Sequence, residues 1–237
     1  MRTMVIAIIT AGGKGERAGG AVKKQFHKIA GKPLLNHTLD LFVKNSRIDC
    51  IIIVLPQDEI EKYDFKPVND KSVIKTAGGV KRAESVYSGL MAAGRFFDEA
   101  KIPNNNRIVL IHDSVRPFAS QRLIDAVIDK VIRFGAAVPV LPSADTLIKI
   151  DSGKVIEGYP NREQYVSVQT PQGYAFSTIV KAYEKAGIKA ADACDESSIV
   201  HSAGFLVQLV EGDRMNFKIT TPEDLKIAES LLSSGNA

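Results

Sequence analysis

The stretch of sequence with the clearest chemical potential is a glycine-rich segment that follows a short apolar run, Thr10-Ala11-Gly12-Gly13-Lys14-Gly15-Glu16-Arg17-Ala18-Gly19-Gly20. Glycines let the backbone curl so that several N–H groups face one anion, and their missing side chains leave room for a triphosphate and a base. Arg17 and Lys24 could neutralise the negative charge. Because ligands of open α/β sheets bind where strands end, this segment is the leading candidate for a binding site.

The same glycine pattern has weaker alternatives. Gly13, Gly15 and Ala18 match the dinucleotide fingerprint G-x-G-x-x-A, but that fingerprint expects a helix to begin within the glycines. Here more loop follows, and helix signals start only at Pro33. No Gly-Lys-Ser/Thr closes the segment, so it is not a Walker A loop. A turn that merely connects two elements remains possible, and the neighbouring cations argue against it.

Other reactive side chains give less support for a catalytic site. His112 and Asp113 are adjacent at a strand end, where successive side chains point to opposite sides, so we expect a packed histidine and no acid–base dyad. Cys50 and Cys194 lack metal-ligand spacing, and no helper histidine accompanies Cys194. We therefore expect reduced thiols without chemistry, with Cys194 buried or half-buried, and no metal site built from side chains.

The elements that position these residues alternate between strands and helices. Short β-branched runs predict buried strands at 5–9, 51–55, 73–75, 108–111 and 137–141. Apolar residues at three- and four-residue spacing predict helices at 34–43, 83–97 and 123–134. This alternation predicts an α/β fold with a Rossmann-like, mostly parallel sheet that is covered by helices on both faces.

The pattern changes over residues 142–170. Residues 146–150, a turn at 151–154 and residues 155–156 predict a hairpin, a projecting β-arm of the kind that often serves as a subunit contact. After it we predict helices at 179–186 and 196–202, a strand at 205–210, and a closing helix with Thr221 as N-cap and Pro222 in first position. No linker-like or low-complexity segment is visible, so we expect one domain over residues 1–237.

Composition narrows the class of protein. The 237 residues are 45% hydrophobic, enough for a substantial core. A net charge of +4, from 31 Lys and Arg against 27 Asp and Glu, favours small anionic ligands and not a nucleic acid. The apolar run at 4–9 is too short for a membrane span and has no cleavage region. We expect no targeting signal, no membrane partner and a cytoplasmic location.

Several groups of residues, spread over nearly the whole chain, together carry a resemblance. In order they are Gly13-Lys14-Gly15-Glu16-Arg17, Lys24-Gln25-Phe26, Gly31-Lys32-Pro33-Leu34, Gly78-Gly79-Val80-Lys81-Arg82-Ala83-Glu84-Ser85-Val86, His112-Asp113-Ser114-Val115-Arg116-Pro117-Phe118, Ala144-Asp145-Thr146, Arg162 with Gln169-Thr170-Pro171-Gln172, and Asn216-Phe217-Lys218-Ile219-Thr220-Thr221-Pro222-Glu223-Asp224-Leu225. The chain thereby resembles the sugar-nucleotide-type nucleotidyltransferases, and specifically the methylerythritol phosphate cytidylyltransferases. The occurrence of all these groups in the family's order along the chain is far more specific than any single group.

The resemblance implies roles for individual residues. The implied catalytic residues are Arg17 and Lys24, which would hold the triphosphate and stabilise the pentavalent phosphorus, and Lys218, which would also contact phosphate near the reacting centre. The residues implied around the cytosine and ribose of CTP are Ala11, Gly12, Gly13, Gly15, Gly79, Ala83 and Ser85. The residues implied for the acceptor pocket, some supplied across a homodimer by the arm, are Asp113, Arg116, Thr146, Arg162 and Thr170. The resemblance also implies Mg²⁺, bound mainly through the CTP phosphates.

The implied activity is transfer of CMP from CTP to 2-C-methyl-D-erythritol 4-phosphate, which gives 4-diphosphocytidyl-2-C-methyl-D-erythritol and pyrophosphate in the non-mevalonate route to isoprenoid precursors. A pentitol phosphate such as ribitol 5-phosphate is an alternative acceptor. An NAD-dependent dehydrogenase or a non-catalytic nucleotide-binding module is an alternative of another class; it would need an acidic residue for a ribose after the second strand, where only Asp58 is available.

The chain departs from the family pattern at a few positions. Lys23 replaces the usual proline before Lys-Gln-Phe, Ser114-Val115 replaces a pair of alanines, and Cys194 replaces a threonine whose hydroxyl is expected near the substrate phosphate. Val80 stands where relatives often have an acidic residue, which leaves cytosine recognition there to main-chain groups. The changes at Ser114-Val115 and Cys194 bear on the substrate more than on the chemistry.

Overall fold

A mixed sheet organises the fold, as a computed structural model of residues 2–12, 23–65 and 71–233 shows. The strands within these ranges are β1 (Met4–Thr10), β2 (Lys28–Ile29), β3 (Lys32–Pro33), β4 (Cys50–Leu55), β5 (Ser72–Ala77), β6 (Arg107–Asp113), β7 (Ala136–Pro142), β8 (Lys149–Ile150), β9 (Ile156–Gly158), β10 (Val166–Val168), β11 (Gln172–Ala175) and β12 (Gln208–Glu211). The helices are α1 (Leu34–Lys44), α2 (Arg82–Glu99), α3 (Gln121–Phe134), α4 (Phe176–Ala186), α5 (Glu196–Ser202) and α6 (Pro222–Ser233).

Eight strands of the described chain form the central sheet in the order β10-β7-β11-β6-β1-β4-β5, and β12 pairs with β7. Strand β1 runs parallel to β4 and β6, and β4 runs parallel to β5, whereas β10 and β11 run antiparallel to their neighbours. The five strands and three helices predicted before the arm are all present, with bounds that differ by at most two residues. The predicted fold class, a Rossmann-like and mostly parallel sheet, is confirmed.

Two apolar cores flank the sheet, because successive side chains of a buried strand point to opposite faces. On β1, Ile6 and Ile8 join the core under α2, α4 and α5, while Ala7 and Ile9 join the core under α1 and α3. Helix α2 approaches the sheet closely at Gly89, where a Cβ atom would lie 2.5 Å from Cγ2 of Ile8. Each fully buried aliphatic side chain contributes about 1.5–3 kcal/mol, so these layers fix the strand ends that carry the site.

The arm is smaller than predicted. Strands β8 and β9 form an antiparallel hairpin, but the first starts at Lys149 and not at residue 146, and the second starts at Ile156. Its turn is closed by the backbone N–H of Lys154, which donates to the Asp151 carbonyl at 3.1 Å. Strand β10, which lies within the predicted arm of residues 142–170, instead pairs with β7 in the main sheet.

Strand β11 was missed from the sequence because its surroundings look like a loop. It follows Pro171, whose peptide bond with Thr170 is cis, and it contains Gly173. That glycine permits a close helix–strand approach, since a Cβ atom there would lie 2.7 Å from Cγ atoms of both Val127 and Val131. The strand predicted at 205–210 is β12 and begins three residues later, at Gln208.

The closing helix begins as predicted. The Thr221 hydroxyl accepts a hydrogen bond from the backbone N–H of Asp224 at 3.2 Å, and Pro222 takes the first helical position. Helix α6 packs near the β2–β3 hairpin in a third, small core with Ile29 and Ile219. None of the helices in the described ranges combines the length and apolar character needed to cross a bilayer.

Candidate active site

The carboxyl ends of three parallel strands meet at one edge of the sheet. Thr10 at the end of β1 is in register with Asp113 at the end of β6 and with Val54 near the end of β4. The chain then continues from β1 with Ala11, whose backbone N–H donates to the Val54 carbonyl at 2.8 Å. This register places the start of the glycine-rich segment beside Asp113, at the edge where ligands of such sheets bind.

On one side of this edge the backbone of three glycines and one serine come together. A Cβ atom on Gly12 would lie 2.8 Å from Oγ of Ser85 and 3.5 Å from Cα of Gly78. The Ser85 hydroxyl in turn accepts a hydrogen bond from the Gly79 N–H at 3.1 Å. Ala83 beside it is buried, whereas Val80 is 83% exposed. The result is a bare-backbone surface at the start of α2.

On the other side, the Asp113 carboxylate is surrounded by three cations. Its Oδ2 lies 2.9 Å from Nζ of Lys218 and 3.5 Å from Nε of Arg116, and its Oδ1 lies 3.4 Å from a guanidinium nitrogen of Arg82. Burial opposes ionisation of this carboxyl group, but Arg82, Lys218 and Arg116 outweigh that effect and hold the pKa of Asp113 well below its usual range. Asp113 is therefore an anion at any physiological pH.

His112 supports the site from inside. Its side chain is fully buried; one ring nitrogen lies 3.0 Å from the Thr170 hydroxyl and the other lies 3.0 Å from the Arg116 carbonyl. Burial lowers the pKa of His112 to about 4, so the ring is neutral at pH 7. The Thr170 hydroxyl also accepts a hydrogen bond from the Asp113 N–H at 3.1 Å. The predicted packed role for His112 is confirmed.

Arg116 and Lys218 are placed by the segment before α6. A terminal nitrogen of Arg116 donates to the Asn216 carbonyl at 2.7 Å, and the amide of buried Asn216 donates to the Thr170 carbonyl at 2.7 Å. The Ile219 N–H donates to the Val115 carbonyl at 3.0 Å. These bonds bring Lys218 to Asp113 although the two residues are far apart in the sequence.

Lys24 lies close to this segment. Its Nζ donates to the carbonyls of Ile219 at 3.0 Å and Thr220 at 2.8 Å, next to Lys218. The neighbouring Lys23 forms a different contact, since its Nζ lies 2.6 Å from Asp58 and 3.0 Å from Glu59. The two consecutive lysines therefore contact different parts of the chain: Lys24 binds the segment before α6, and Lys23 pairs with the loop after β4.

A cavity of about 380 Å³ opens beside Asp113. It is lined by Arg82, Arg116, Thr170 and Lys218, with Cys194 and Asp195 also in its wall. The structure thus brings four predicted acceptor or catalytic residues into one cavity: Asp113, Arg116, Thr170 and Lys218. Cys194 is exposed, so the expectation of a buried or half-buried thiol is wrong.

Some sequence-predicted residues lie elsewhere. Thr146 and Arg162 are exposed on the arm and do not line this cavity. Gly13, Gly15 and Arg17 lie outside the described residues.

Two residues of the site were missed from the sequence. Arg82 lines the cavity, and one of its nitrogens lies 2.6 and 2.7 Å from the two carboxylate oxygens of Glu196, a side chain that is 1% exposed. Burial raises the pKa of Glu196, and the guanidinium of Arg82 opposes that shift. Each residue begins a helix, where charged side chains are usually solvated, so the sequence contained no signal that they pair.

Comparison with known proteins decides the family. A sequence profile of the 2-C-methyl-D-erythritol 4-phosphate cytidylyltransferases matches residues 5–234. The chain belongs to this family. It is therefore a nucleotidyltransferase, and the dehydrogenase and the non-catalytic module are set aside.

Individual relatives agree with the profile. The chain is 41% identical over 232 residues to the 2-C-methyl-D-erythritol 4-phosphate cytidylyltransferase of Clostridium perfringens, a match covering 95% of this chain and 97% of the relative. The corresponding protein of Clostridium botulinum is 39% identical over 234 residues, which cover 97% and 100%. The solved structure of the Thermus thermophilus cytidylyltransferase is 33% identical, with a TM-score of 0.73 and coverage of 98% and 100%.

We predict that Asp113→Asn destabilises this cytidylyltransferase by roughly 2–3 kcal/mol at pH 7, because three cations lose the anion that they share, while Arg82 and Lys218 keep contact with solvent. The depressed pKa makes the carboxylate's contribution complete above the ordinary aspartate pKa of about 4 and lost as pH falls towards the lower folded value. Denaturant unfolding should therefore show a difference that begins to shrink below about pH 5 and is still shrinking at about pH 3. Asp145→Asn, at an exposed position of the arm, is the control, and a pH-independent difference would contradict the electrostatic explanation.

Proposed function

We propose that this cytidylyltransferase transfers CMP from CTP to 2-C-methyl-D-erythritol 4-phosphate, giving 4-diphosphocytidyl-2-C-methyl-D-erythritol and pyrophosphate in the non-mevalonate route to isoprenoid precursors. The observation that carries the proposal is the cavity beside Asp113, whose cations Arg116 and Lys218 suit a phosphate group. The cavity adjoins the glycine edge of the sheet. The names of the Clostridium and Thermus relatives state the same acceptor and cytidylyl transfer.

CTP is assigned to the glycine edge. Gly12 and Gly79 are half-buried and carry no side chains, and the small, buried Ser85 and Ala83 lie beside them, so a base and ribose could reach the main-chain groups of the two glycines. The sequence-based assignment of Ala11 to the same surface fits its position directly after β1. With Val80 exposed, recognition of cytosine at this position depends on main-chain N–H and C=O groups.

The reaction requires alignment and charge stabilisation more than proton transfer. A phosphate oxygen of the acceptor attacks the α-phosphorus of CTP, and the bond from that phosphorus to the bridging oxygen of the β-phosphate breaks, releasing pyrophosphate. The attacking phosphate, with a second pKa of about 6, is already an anion at pH 7 and needs no general base. This agrees with a neutral, packed His112.

Cations stabilise the negative charge that spreads over the oxygens of the reacting phosphorus. We assign this role to Lys218, which lies in the segment before α6, to Lys24, whose Nζ donates to carbonyls of the same segment, and to Arg17. Asp113 and Arg116 orient the acceptor phosphate and keep Lys218 in place, and Thr170 fixes Asp113 from behind.

We infer that Mg²⁺ accompanies CTP and takes its ligands chiefly from phosphate oxygens and water, as this ion prefers. Among the described residues no group of three or more His, Cys, Asp or Glu could hold a metal, and Asp113 is already paired with cations. The residues present therefore suit a metal that arrives with the triphosphate. Bound there, it would neutralise part of the phosphate charge.

We further propose a homodimer formed through the arm. Large apolar side chains are exposed on and beside it, namely Ile148, Ile150, Val155, Ile156, Tyr159, Tyr165, Val166 and Val168. Clustered exposed apolar residues usually mark an interface. Thr146 and Arg162 on the same arm would then reach the acceptor pocket of the partner subunit.

The proposed use of CTP and the two thiols outside any disulfide favour a cytoplasmic location for this protein.

The proposed reaction predicts that pyrophosphate release requires CTP and methylerythritol phosphate, with UTP, ATP and ribitol 5-phosphate much less effective. Lys218→Ala and Lys24→Ala should each lower kcat by about 10²–10³, the usual cost of removing one group that stabilises the transition state. Lys226→Ala, which removes an exposed lysine from α6, is the control. A folded wild-type protein that prefers ribitol 5-phosphate would reassign the acceptor, and near-normal rates for both lysine variants would contradict the assigned site.

The shared pocket predicts complementation between two defective subunits. Arg162→Ala removes the arm contribution and Lys218→Ala disables the pocket, so each homodimer should be nearly inactive. In a heterodimer purified through two different tags, one pocket keeps its own Lys218 and receives an intact arm. About half of the wild-type rate per dimer should return, as two-fold symmetry requires. No recovery in a stable heterodimer would contradict an arm that acts across the interface.

A further inference from the structure

Arg82 stands between the two halves of the site. Its backbone begins α2, directly after the segment that holds Gly79 and contacts Ser85, where we place CTP. Its side chain reaches the other way and lines the cavity where we place the acceptor. Arg82 therefore both begins α2 and pairs with Asp113.

Glu196 fixes the direction of this side chain. The Glu196 carboxylate is 1% exposed, and both of its oxygens lie within hydrogen-bond distance of the same Arg82 nitrogen, at 2.6 and 2.7 Å. A second contact comes from the Tyr183 hydroxyl, at 3.4 Å. A buried carboxylate stays ionised only when a cation compensates it, so the pair constrains the guanidinium strongly.

The guanidinium of Arg82 then acts on Asp113. Its other terminal nitrogen lies 3.4 Å from Oδ1, whereas Lys218 and Arg116 contact Oδ2. The carboxylate is thus held between cations at both oxygens, and its rotation decides where Lys218 is held. Removing the constraint at Oδ1 leaves the carboxylate free to turn towards the remaining cations.

We propose that Arg82, clamped by Glu196, is a positioning residue that holds Asp113, and through it Lys218, in the geometry needed by the acceptor phosphate. The inference rests on the proposed function. It assigns Arg82 and Glu196 to the acceptor half of the reaction. The place of Arg82 at the start of α2, next to Gly79 and Ser85, couples that half to the proposed CTP surface.

The test is steady-state kinetics on the full-length protein, with CTP and methylerythritol phosphate varied separately, for Arg82→Lys and Glu196→Gln. Arg82→Lys keeps the charge but cannot contact Glu196 and Asp113 together, and Glu196→Gln keeps the shape but removes the clamping charge. Each should lower kcat/KM for the acceptor by about 10–100-fold, the effect expected of a misplaced group, and change the KM for CTP by less than about threefold. Glu196→Asp should recover most of the loss because it restores the charge.

Arg107→Lys is the matched control. Arg107 is a largely buried arginine at the start of β6, the opposite end of that strand from Asp113, and it pairs with Asp98. The thermal stability of the Arg107→Lys variant should fall, without a change in kcat/KM for the acceptor or in the KM for CTP. The inference would be overturned if the two test variants lost kcat/KM equally for CTP and for the acceptor and both were equally destabilised to heat. Arg82 would then have a purely structural role. Normal acceptor kinetics would overturn it as well. Absence of pyrophosphate release by the wild-type protein would instead overturn the proposed function, and this inference with it.

Discussion

The ionised carboxylate of Asp113 is the constraint on which the site depends. It lies at the carboxyl end of β6 and is nearly buried, yet Arg82, Arg116 and Lys218 keep it charged. Each cation comes from a different part of the chain. The carboxylate therefore gathers the start of α2, the turn after β6 and the segment before α6 around one cavity.

The packing beneath the site serves this arrangement. The parallel register of β1 and β6 sets Thr10 beside Asp113, so the glycine edge and the anionic centre adjoin each other. Thr170, which lies just before the antiparallel strand β11, contacts both His112 and the Asp113 N–H. A neutral histidine in that position completes hydrogen bonds without adding charge to an already cationic cavity.

The sequence predicted the parts of the fold that follow a simple period. Strands β1 and β6 are continuous β-branched runs, and α3 has a regular apolar face, so their existence and type could be derived directly. Strand β11 could not be predicted, because Gly173 and Pro171 are residue types that indicate a loop. Only the tertiary contact with α3 explains the glycine. Local pattern carries no information about such contacts.

The glycine edge could be predicted from the residues alone, whereas the acceptor pocket was predictable only through resemblance. Asp113, Arg116, Thr170 and Lys218 match family segments and converge in the structure. The pair of Arg82 and Glu196 escaped, since nothing local indicates that two helix-initial charges 114 positions apart will meet in the interior.

Lys23 is a departure with a visible consequence. Its ammonium group pairs with Asp58 and Glu59, at the position where the family resemblance implies a proline. The backbone there has φ of −59°, which a proline would also adopt. The ion pair between Lys23 and the loop after β4 thus supplies part of the rigidity that a proline ring would give. It also occupies Asp58, the one acidic residue that a ribose-binding alternative needed.

The most direct test of this account is the ionisation state of Asp113, followed by the carboxyl-carbon NMR shift of the wild-type protein as the pH is lowered. At about pH 3, below the ordinary aspartate pKa but with the protein still folded, the account predicts the shift of a carboxylate. A half-titration near pH 4, like that of an exposed aspartate, would show that the three cations do not hold this charge and would contradict the central claim.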